Sequence, residues 1–287
     1  WAGCVMERAP PNHFSTNFSP TAKYRAYIYP PETDNDLCDN PSAGANNVYK
    51  YVEQIDSTGT TTSPYTRGPN YNCVRHPVMP LTTDATAVKA GIASRTSEFH
   101  MGTLLAPGIT WGMRLLTPNA PFPGADPSTS STRKVMVMLT DGEQTTEMRY
   151  PDCNTTQNSS GTPYAFDPAA LGLAGRRVGP NGPRDFFGPY GYIFDSDPFN
   201  VGFTSYGQVD PSLDPLALAA CAAAKRQGIE VYSIAVSSAA GPGTTVHDTL
   251  RACATSAAHF FYAADEAALK NAFATVARNS ARFVRTR

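Results

Sequence analysis

Oxygen-bearing side chains are the best lead to chemistry in this chain. Asp141 stands where an apolar run, Val135-Met136-Val137-Met138-Leu139, ends abruptly in Thr140-Asp141-Gly142. Thr103 follows Gly102 in the turn before a helical stretch. A carboxylate and a hydroxyl brought together at the top of a parallel sheet suit a hard divalent cation, because Mg²⁺ keeps several waters and needs only a few protein oxygens. Each residue also has a plain structural role open to it. Asp141 can cap the turn that follows it, and Thr103 can be the N-cap of its helix. Other chemistries lack their residues. The sequence holds no G-x-S-x-G elbow, no G-x-x-x-x-G-K phosphate loop and no G-x-G-x-x-G after a strand. The five histidines are scattered and read as surface or packing residues rather than bases. Carboxylates such as Asp195, Asp197 and Asp210 could in principle do acid–base work, but no base–nucleophile pair accompanies them. The chain therefore reads as non-enzymatic.

These residues need elements to hold them. Arg133 and Lys134 precede the apolar run, which has strand length and no alternation, and so predicts a strand buried on both faces. Strands of that kind sit in the middle of parallel sheets, where ligands bind beyond the carboxyl ends. Gly142 lets the chain turn sharply at that point. Upstream, helical sequence runs from about 81 to about 99, with Thr83 or Asp84 as its cap and Ala87, Val88, Ile92 and Ala93 at helical spacing. A second helix is expected over 104–116. Downstream, Asp214-Pro215 starts a helix with proline at its first position, and Leu216, Ala219, Ala220, Ala223 and Ala224 form its buried face. A strand over 229–236, a short helix over 246–254 and an edge-type strand over 259–264 follow. Asp265 then caps a last helix, from 266 to about 281, with Leu269, Phe273 and Val276 inward. Strands alternating with helices predict an α/β fold with a mostly parallel sheet flanked by helices.

The remainder is loop-rich. Residues 1–80 read as an insertion of hairpins and loops, with strand candidates at 24–29 and 48–55. Residues 81–143 form the first part of the core, 144–213 a long Gly/Pro/aromatic-rich insertion, and 214–287 the C-terminal part of the core. The aromatic block over 186–194 suits either a contact surface or a flap folded over its own domain.

Composition narrows the function. The chain of 287 residues is long enough for a substantial core. A net charge of −1 leaves no electrostatic footprint for nucleic acid or an anionic membrane. No stretch is long and apolar enough to span a bilayer. The sequence starts at Trp1 without a signal peptide, so an export signal or anchor is expected upstream. Cys4, Cys38, Cys73, Cys153, Cys221 and Cys253 are dispersed, with no C-x-x-C pair and no histidine at zinc spacing. That pattern suits disulfides outside the cytoplasm, in the periplasm, at the cell surface or in secreted material.

Several stretches together carry a family resemblance. Gly102-Thr103, then Trp111-Gly112-Met113-Arg114-Leu115-Leu116-Thr117-Pro118, then Lys134 through Glu143 resemble the von Willebrand factor type A (vWA) domain. More narrowly, they resemble the vWA domain of TadG-like proteins of bacterial tight-adherence (Tad/Flp) pilus systems. Trp1-Ala2-Gly3-Cys4-Val5 resembles the start of that family's insertion. Cys221 with Lys225, Gly228-Ile229-Glu230-Val231-Tyr232, and Leu250-Arg251-Ala252-Cys253-Ala254 resemble its penultimate helix, strand and following helix. Phe261-Tyr262-Ala263-Ala264-Asp265 and the stretch from Leu269 to Phe273 resemble its last strand and helix.

The resemblance implies a metal-ion-dependent adhesion site, with Thr103 matching its threonine segment and Asp141 its aspartate segment, and Mg²⁺ or Ca²⁺ as the ion. The family's D-x-S-x-S loop should precede Thr103 after a hydrophobic strand, and nothing here does. Asp126-Pro127-Ser128-Thr129-Ser130 spells the pattern but follows Thr103 in a Pro-rich loop, and we do not assign it. The first strand–helix unit of the vWA-like sheet is thus expected outside this chain, supplied by the cleaved N-terminal part of the same precursor or absent. The resemblance also implies that Cys221 pairs with Cys253. Cys4, Cys38, Cys73 and Cys153 then pair among themselves in one of three connectivities, of which Cys4 with Cys73 is the one we expect. The implied role is adhesion or pilus biogenesis through contact with pilus or cell-surface proteins. The alternative is a structural subunit of a surface layer or filament, self-associating through the aromatic block without metal.

Overall fold

The middle strand of the sheet is the most buried one. Ile229-Glu230-Val231-Tyr232-Ser233-Ile234-Ala235-Val236 is β-branched and buried nearly throughout, as a strand covered on both faces must be. In the computed structural model, which describes residues 3–27, 73, 76–95, 103–119, 121–127, 132–145, 187–192 and 208–282, the elements run as follows. Strands β1 (Val5–Met6) and β2 (Arg25–Ala26) pair antiparallel. Helices α1 (Ala85–Ala93) and α2 (Leu105–Leu115) lead to β3 (Lys134–Thr140). A small hairpin, β4 (Phe187–Gly188) and β5 (Gly191–Tyr192), precedes α3 (Asp210–Arg226). Then come β6 (Ile229–Val236), α4 (Thr245–Cys253), β7 (Phe260–Ala263) and α5 (Glu266–Arg282).

Among the described residues the main sheet has the order β3-β6-β7, and both pairings are parallel. One face is covered by α2, α3 and α4, through a core that includes Ile109, Met113, Met136, Leu216, Ala220, Val231 and Leu250. On the other face, Ile234 and Ala263 pack with Ala272 of α5 and with the partly buried Val236, Phe261 and Leu269. Small residues at Ala217, Ala220, Ala223 and Ala224 let α3 lie close to the sheet. Leu250 is fully buried, and truncating it to alanine should cost about 2–5 kcal/mol. The chain is thus a mixed α/β protein whose three-stranded parallel sheet is flanked by helices.

Among the described residues, two disulfides fasten the fold. Cys4 joins Cys73, and Cys221 of α3 joins Cys253 of α4. Cys38 and Cys153 lie outside the described residues, as do the strand candidate over 48–55, residues 28 and 29 of the 24–29 candidate, and Asp195 and Asp197. Disulfides persist in oxidising surroundings, so these two point to a location outside the cytoplasm. No helix among the described residues is long and apolar enough to cross a membrane.

Four expectations need correction. The strand that delivers Asp141 is not central and is not buried on both faces. It is an edge of the described sheet, with Val137 36% and Leu139 50% exposed. Its apolar run expresses the need for cover on that face, and α5 covers β6 and β7 instead. In α1 no residue is buried, and Ile92 is exposed, so helical spacing there marks no core contact. Helix α3 starts at Asp210, with Pro211 in its first turn and Pro215 inside the helix. Leu213, one residue ahead of the expected start, is buried, and burying it accompanies a helix that begins one turn earlier and runs through Pro215. Finally, Phe273 of α5 is exposed, and Ala272 faces inward in its place, beside Val276 as expected.

Candidate functional site

The carboxyl end of β3 opens into a loop, 141–145, that is tied on three sides. Asp141 is exposed, and its carbonyl accepts a hydrogen bond from Ser237 Oγ at 3.0 Å. Ser237 follows β6 and has φ 68° and ψ 170°, a conformation that a non-glycine residue adopts at a cost of about 1–3 kcal/mol. Its N–H donates to the Ala263 carbonyl at 3.0 Å, and its hydroxyl accepts the Ala239 amide at 3.3 Å. One strained serine therefore joins the loops that follow β3, β6 and β7.

Glu143 makes the second tie. Its two carboxylate oxygens accept the backbone amides of Thr245 and Val246, at 3.0 and 3.1 Å. The first amides of a helix have no partner within it, and negative charge is favoured there. Glu143 thereby docks the loop onto α4. Gln144, although polar, is buried and makes the third tie. Its Oε1 accepts the Leu105 amide at 2.9 Å, and its Nε2 donates to Asp214 Oδ1 at 2.7 Å. Next to it, Thr145 N–H donates to the Thr103 carbonyl at 3.2 Å.

These bonds bring the Thr103 segment and the Asp141 loop together. They also settle what Thr103 does at its helix. The N-cap of α2 is Leu104, which gives no side-chain cap, and Gln144 reaches in to satisfy the Leu105 amide. The Thr103 hydroxyl and the Asp141 carboxylate make no hydrogen bond with the described residues. Both are oxygen donors of the kind Mg²⁺ and Ca²⁺ take, and two of them leave most of a coordination shell to water or to an incoming group. Among the described residues no cluster of three or more His, Cys, Asp or Glu exists that could hold a metal. Asp126 is already engaged, accepting the Thr132 hydroxyl at 2.5 Å, while Ser128 and Ser130 lie outside the described residues.

A second polar cluster sits at the opposite, amino-terminal end of the sheet. Arg133 donates to Glu230 Oε2 and, through Nη1, to the Asn279 carbonyl at 2.8 Å. His259 contacts Glu230 Oε1, and its Nδ1 lies 2.7 Å from Ser256 Oγ. Burial works to raise the Glu230 carboxyl, but hydrogen bonds and charge from Arg133 and His259 outweigh it and hold the group below the usual carboxylate range. The serine, histidine and glutamate superficially suit nucleophilic catalysis. Ser256 Oγ, however, also accepts the Ala258 amide at 3.3 Å and so caps a single turn. Ligands of parallel sheets bind at the other end, and this network joins β3, β6 and the residues before β7.

Sequence reasoning missed Ser237, Gln144 and Asp214 as positioning residues. Nothing in their spacing marks them, because each acts on a segment distant along the chain. Glu143 was visible only as the end of the strand motif. Of the aromatic block over 186–194, residues 187–192 form the β4–β5 hairpin, in which Tyr190 is buried. The Glu7 amide donates to the neighbouring Pro189 carbonyl at 2.6 Å, so this part of the block folds against its own domain.

No family profile and no curated protein matches the chain. Among solved structures it is similar to a pilus adhesin, SpaC from Lactobacillus rhamnosus GG, with 19% sequence identity and a TM-score of 0.38 over 68% of this chain and 21% of that one. The chain thus spans about a fifth of the length of the adhesin, and a likeness at this score shows neither a shared family nor a shared activity.

Proposed function

We propose that this chain is a non-enzymatic, extracytoplasmic binding protein with a vWA-like sheet, acting in bacterial surface adhesion or Tad-type pilus assembly. In this reading Thr103 and Asp141 hold a Mg²⁺ or Ca²⁺ ion, waters fill most of its shell, and a carboxylate on the partner protein completes it. One observation carries the reading. The Thr103 hydroxyl and the Asp141 carboxylate are left uncommitted on two segments that Thr145 and Gln144 fasten together at the carboxyl end of β3. Gln144 satisfies the helix amide that Thr103 would otherwise cap, which leaves the hydroxyl available. The sequence resemblance around Thr103 and Asp141 and the disulfide bonds support the same assignment. The test is adhesion of the native protein to its bacterial surface with Mg²⁺ and with chelator. Chelator should release the wild type, and Asp141→Ala should bind no better than chelated wild type while keeping its circular dichroism. Adhesion that ignores both chelator and Asp141→Ala sinks the reading and favours the self-associating subunit.

A further inference from the structure

The segment over 3–27 is fastened to α2 by a cluster rich in cations and short of acceptors. Arg114 of α2 divides its guanidinium between both carboxylate oxygens of Glu7 and the His13 carbonyl, the last at 2.8 Å. Arg8 donates to the Ala22 carbonyl at 3.1 Å and to the carbonyls of Ser15 and Asn17, which folds the segment back on itself. Both guanidinium groups lie over the Tyr24 ring, at 4.9 and 5.1 Å. The His13 ring rests on Phe14, with centroids 4.0 Å apart, and Phe14 packs against the main core. Arg8 Nε, Arg114 Nε and His13 Nδ1 are all buried without a hydrogen-bond partner.

The charged and titratable groups of this cluster come from three elements. They are Arg114 from α2, Glu7, Arg8 and Tyr24 from the segment of His13 itself, and Tyr190 from the β4–β5 hairpin. Burial raises both tyrosines, which stay neutral, so two cations face one carboxylate that Arg114 already occupies. Neutral imidazole carries one N–H, whereas the protonated ring carries two. Protonated His13 therefore adds a third cation and leaves a buried N–H at Nδ1 with nothing to receive it, which is costly. Burial and the charge of Arg114 accordingly hold His13 below the ordinary histidine range.

We propose that protonation of His13 releases the 3–27 segment from α2, which makes the segment an acid-operated cover over the Trp111 face of that helix. Strands β1 and β2 are two residues each and hold it weakly, while the Cys4–Cys73 bond keeps the released segment tethered. The penalty is absent above the ordinary histidine value of about 6.5 and grows as pH falls from there toward the lower folded value. That window lies above the one in which carboxylates titrate. The release uses neither Thr103 nor Asp141, so it stands independently of the metal site.

The test is the emission of Trp111 in the disulfide-intact chain carrying Trp1→Phe, which leaves Trp111 as its only tryptophan. Trp111 stacks on Tyr24 with centroids 5.2 Å apart and faces Arg114, so release exposes it to water. Between about pH 8 and about pH 5, the emission should shift to the red, reversibly, with the far-UV circular dichroism unchanged. In an NMR titration the His13 ring should share the midpoint of that shift. His13→Phe keeps a ring against Phe14 and the backbone bond to Arg114, and it should hold the neutral-pH emission throughout, as should His13→Gln. Emission that does not move in the presence of His13 overturns the proposal. So does a His13 midpoint different from that of the emission, an equal shift in both His13 variants, or a shift that coincides with loss of circular dichroism.

Discussion

Arg114 and Glu7, 107 residues apart, form a two-pronged ion pair in the interior. Nη1 and Nη2 each donate to one carboxylate oxygen at 2.9 Å, and the side chains are 1% and 2% exposed. Arg114 Nη2 also donates to the His13 carbonyl at 2.8 Å, and its guanidinium lies over the rings of Tyr24 and Trp111 at 5.1 and 5.0 Å. The pair anchors the N-terminal segment to α2, the helix that starts beside Thr103.

Removing one member of this pair should be far worse than removing both. Glu7→Ala leaves a buried guanidinium without its partner and is expected to cost about 3–5 kcal/mol. Glu7→Leu combined with Arg114→Met should recover most of that loss, because no charge is then stranded. Urea denaturation of the two variants measures the difference. Equal destabilisation by both would mean that the pair contributes packing rather than charge compensation.

Acid should weaken the protein partly through Glu230. Its carboxyl is held below the usual range in the folded state, so its contribution is complete above the unfolded value of about 4.3 and is lost as pH falls through the lower folded value. Glu230→Gln removes that contribution. The variant should melt lower than wild type at neutral pH, and the gap should close as the pH drops below about 4. A gap that stays constant with pH would show that the carboxylate charge is not what stabilises the fold there.

The Cys221–Cys253 bond closes a segment with a sequence separation of 32. Chain-entropy arguments put its contribution at about 3–4 kcal/mol. Cys221→Ala with Cys253→Ala should lower stability by roughly that amount. Both sites are fully buried, and losing the two sulfurs removes little volume, so the cavity left behind is small. Chemical denaturation without reductant is the measurement, and a loss below about 1 kcal/mol would contradict the estimate.

Ser237 should matter for binding more than for stability. Ser237→Gly loses the hydrogen bond to the Asp141 carbonyl but relieves the φ of 68°. The two effects oppose each other, so thermal stability should change by less than about 1 kcal/mol. Divalent-ion affinity should fall at least severalfold, because the Asp141 loop is then held only through Glu143, Gln144 and Thr145, none of which bonds to Asp141 itself. Unchanged affinity would show that the serine does not position Asp141.

The C-terminal half was the most legible part of the chain. Strands and helices from Ile229 onward follow from uninterrupted apolar runs, the Asp265 cap and glycine at the turn before β6, and the structure places them within a residue or two of expectation. The position of β3 in the sheet was not legible. Its run of valine and methionine reports that cover is needed, and cannot say whether this chain supplies it. The ion pair of Glu7 with Arg114 was equally invisible, because a glutamate in irregular sequence reads as a surface residue until its distant partner is known. At the candidate site, the residue types of Thr103 and Asp141 were readable, while the hydrogen bonds that hold their segments together depend on contacts across the fold.

The most direct measurement is isothermal titration of Mg²⁺ and Ca²⁺ into the native, disulfide-intact chain and into Asp141→Ala. The account predicts weak binding to the wild type, with Kd on the order of 10⁻³ M because the chain offers few ligands, and no binding to the variant, whose circular dichroism and melting temperature stay those of the wild type. No heat from the wild type, or the same heat from both proteins, would contradict a metal site at Thr103 and Asp141.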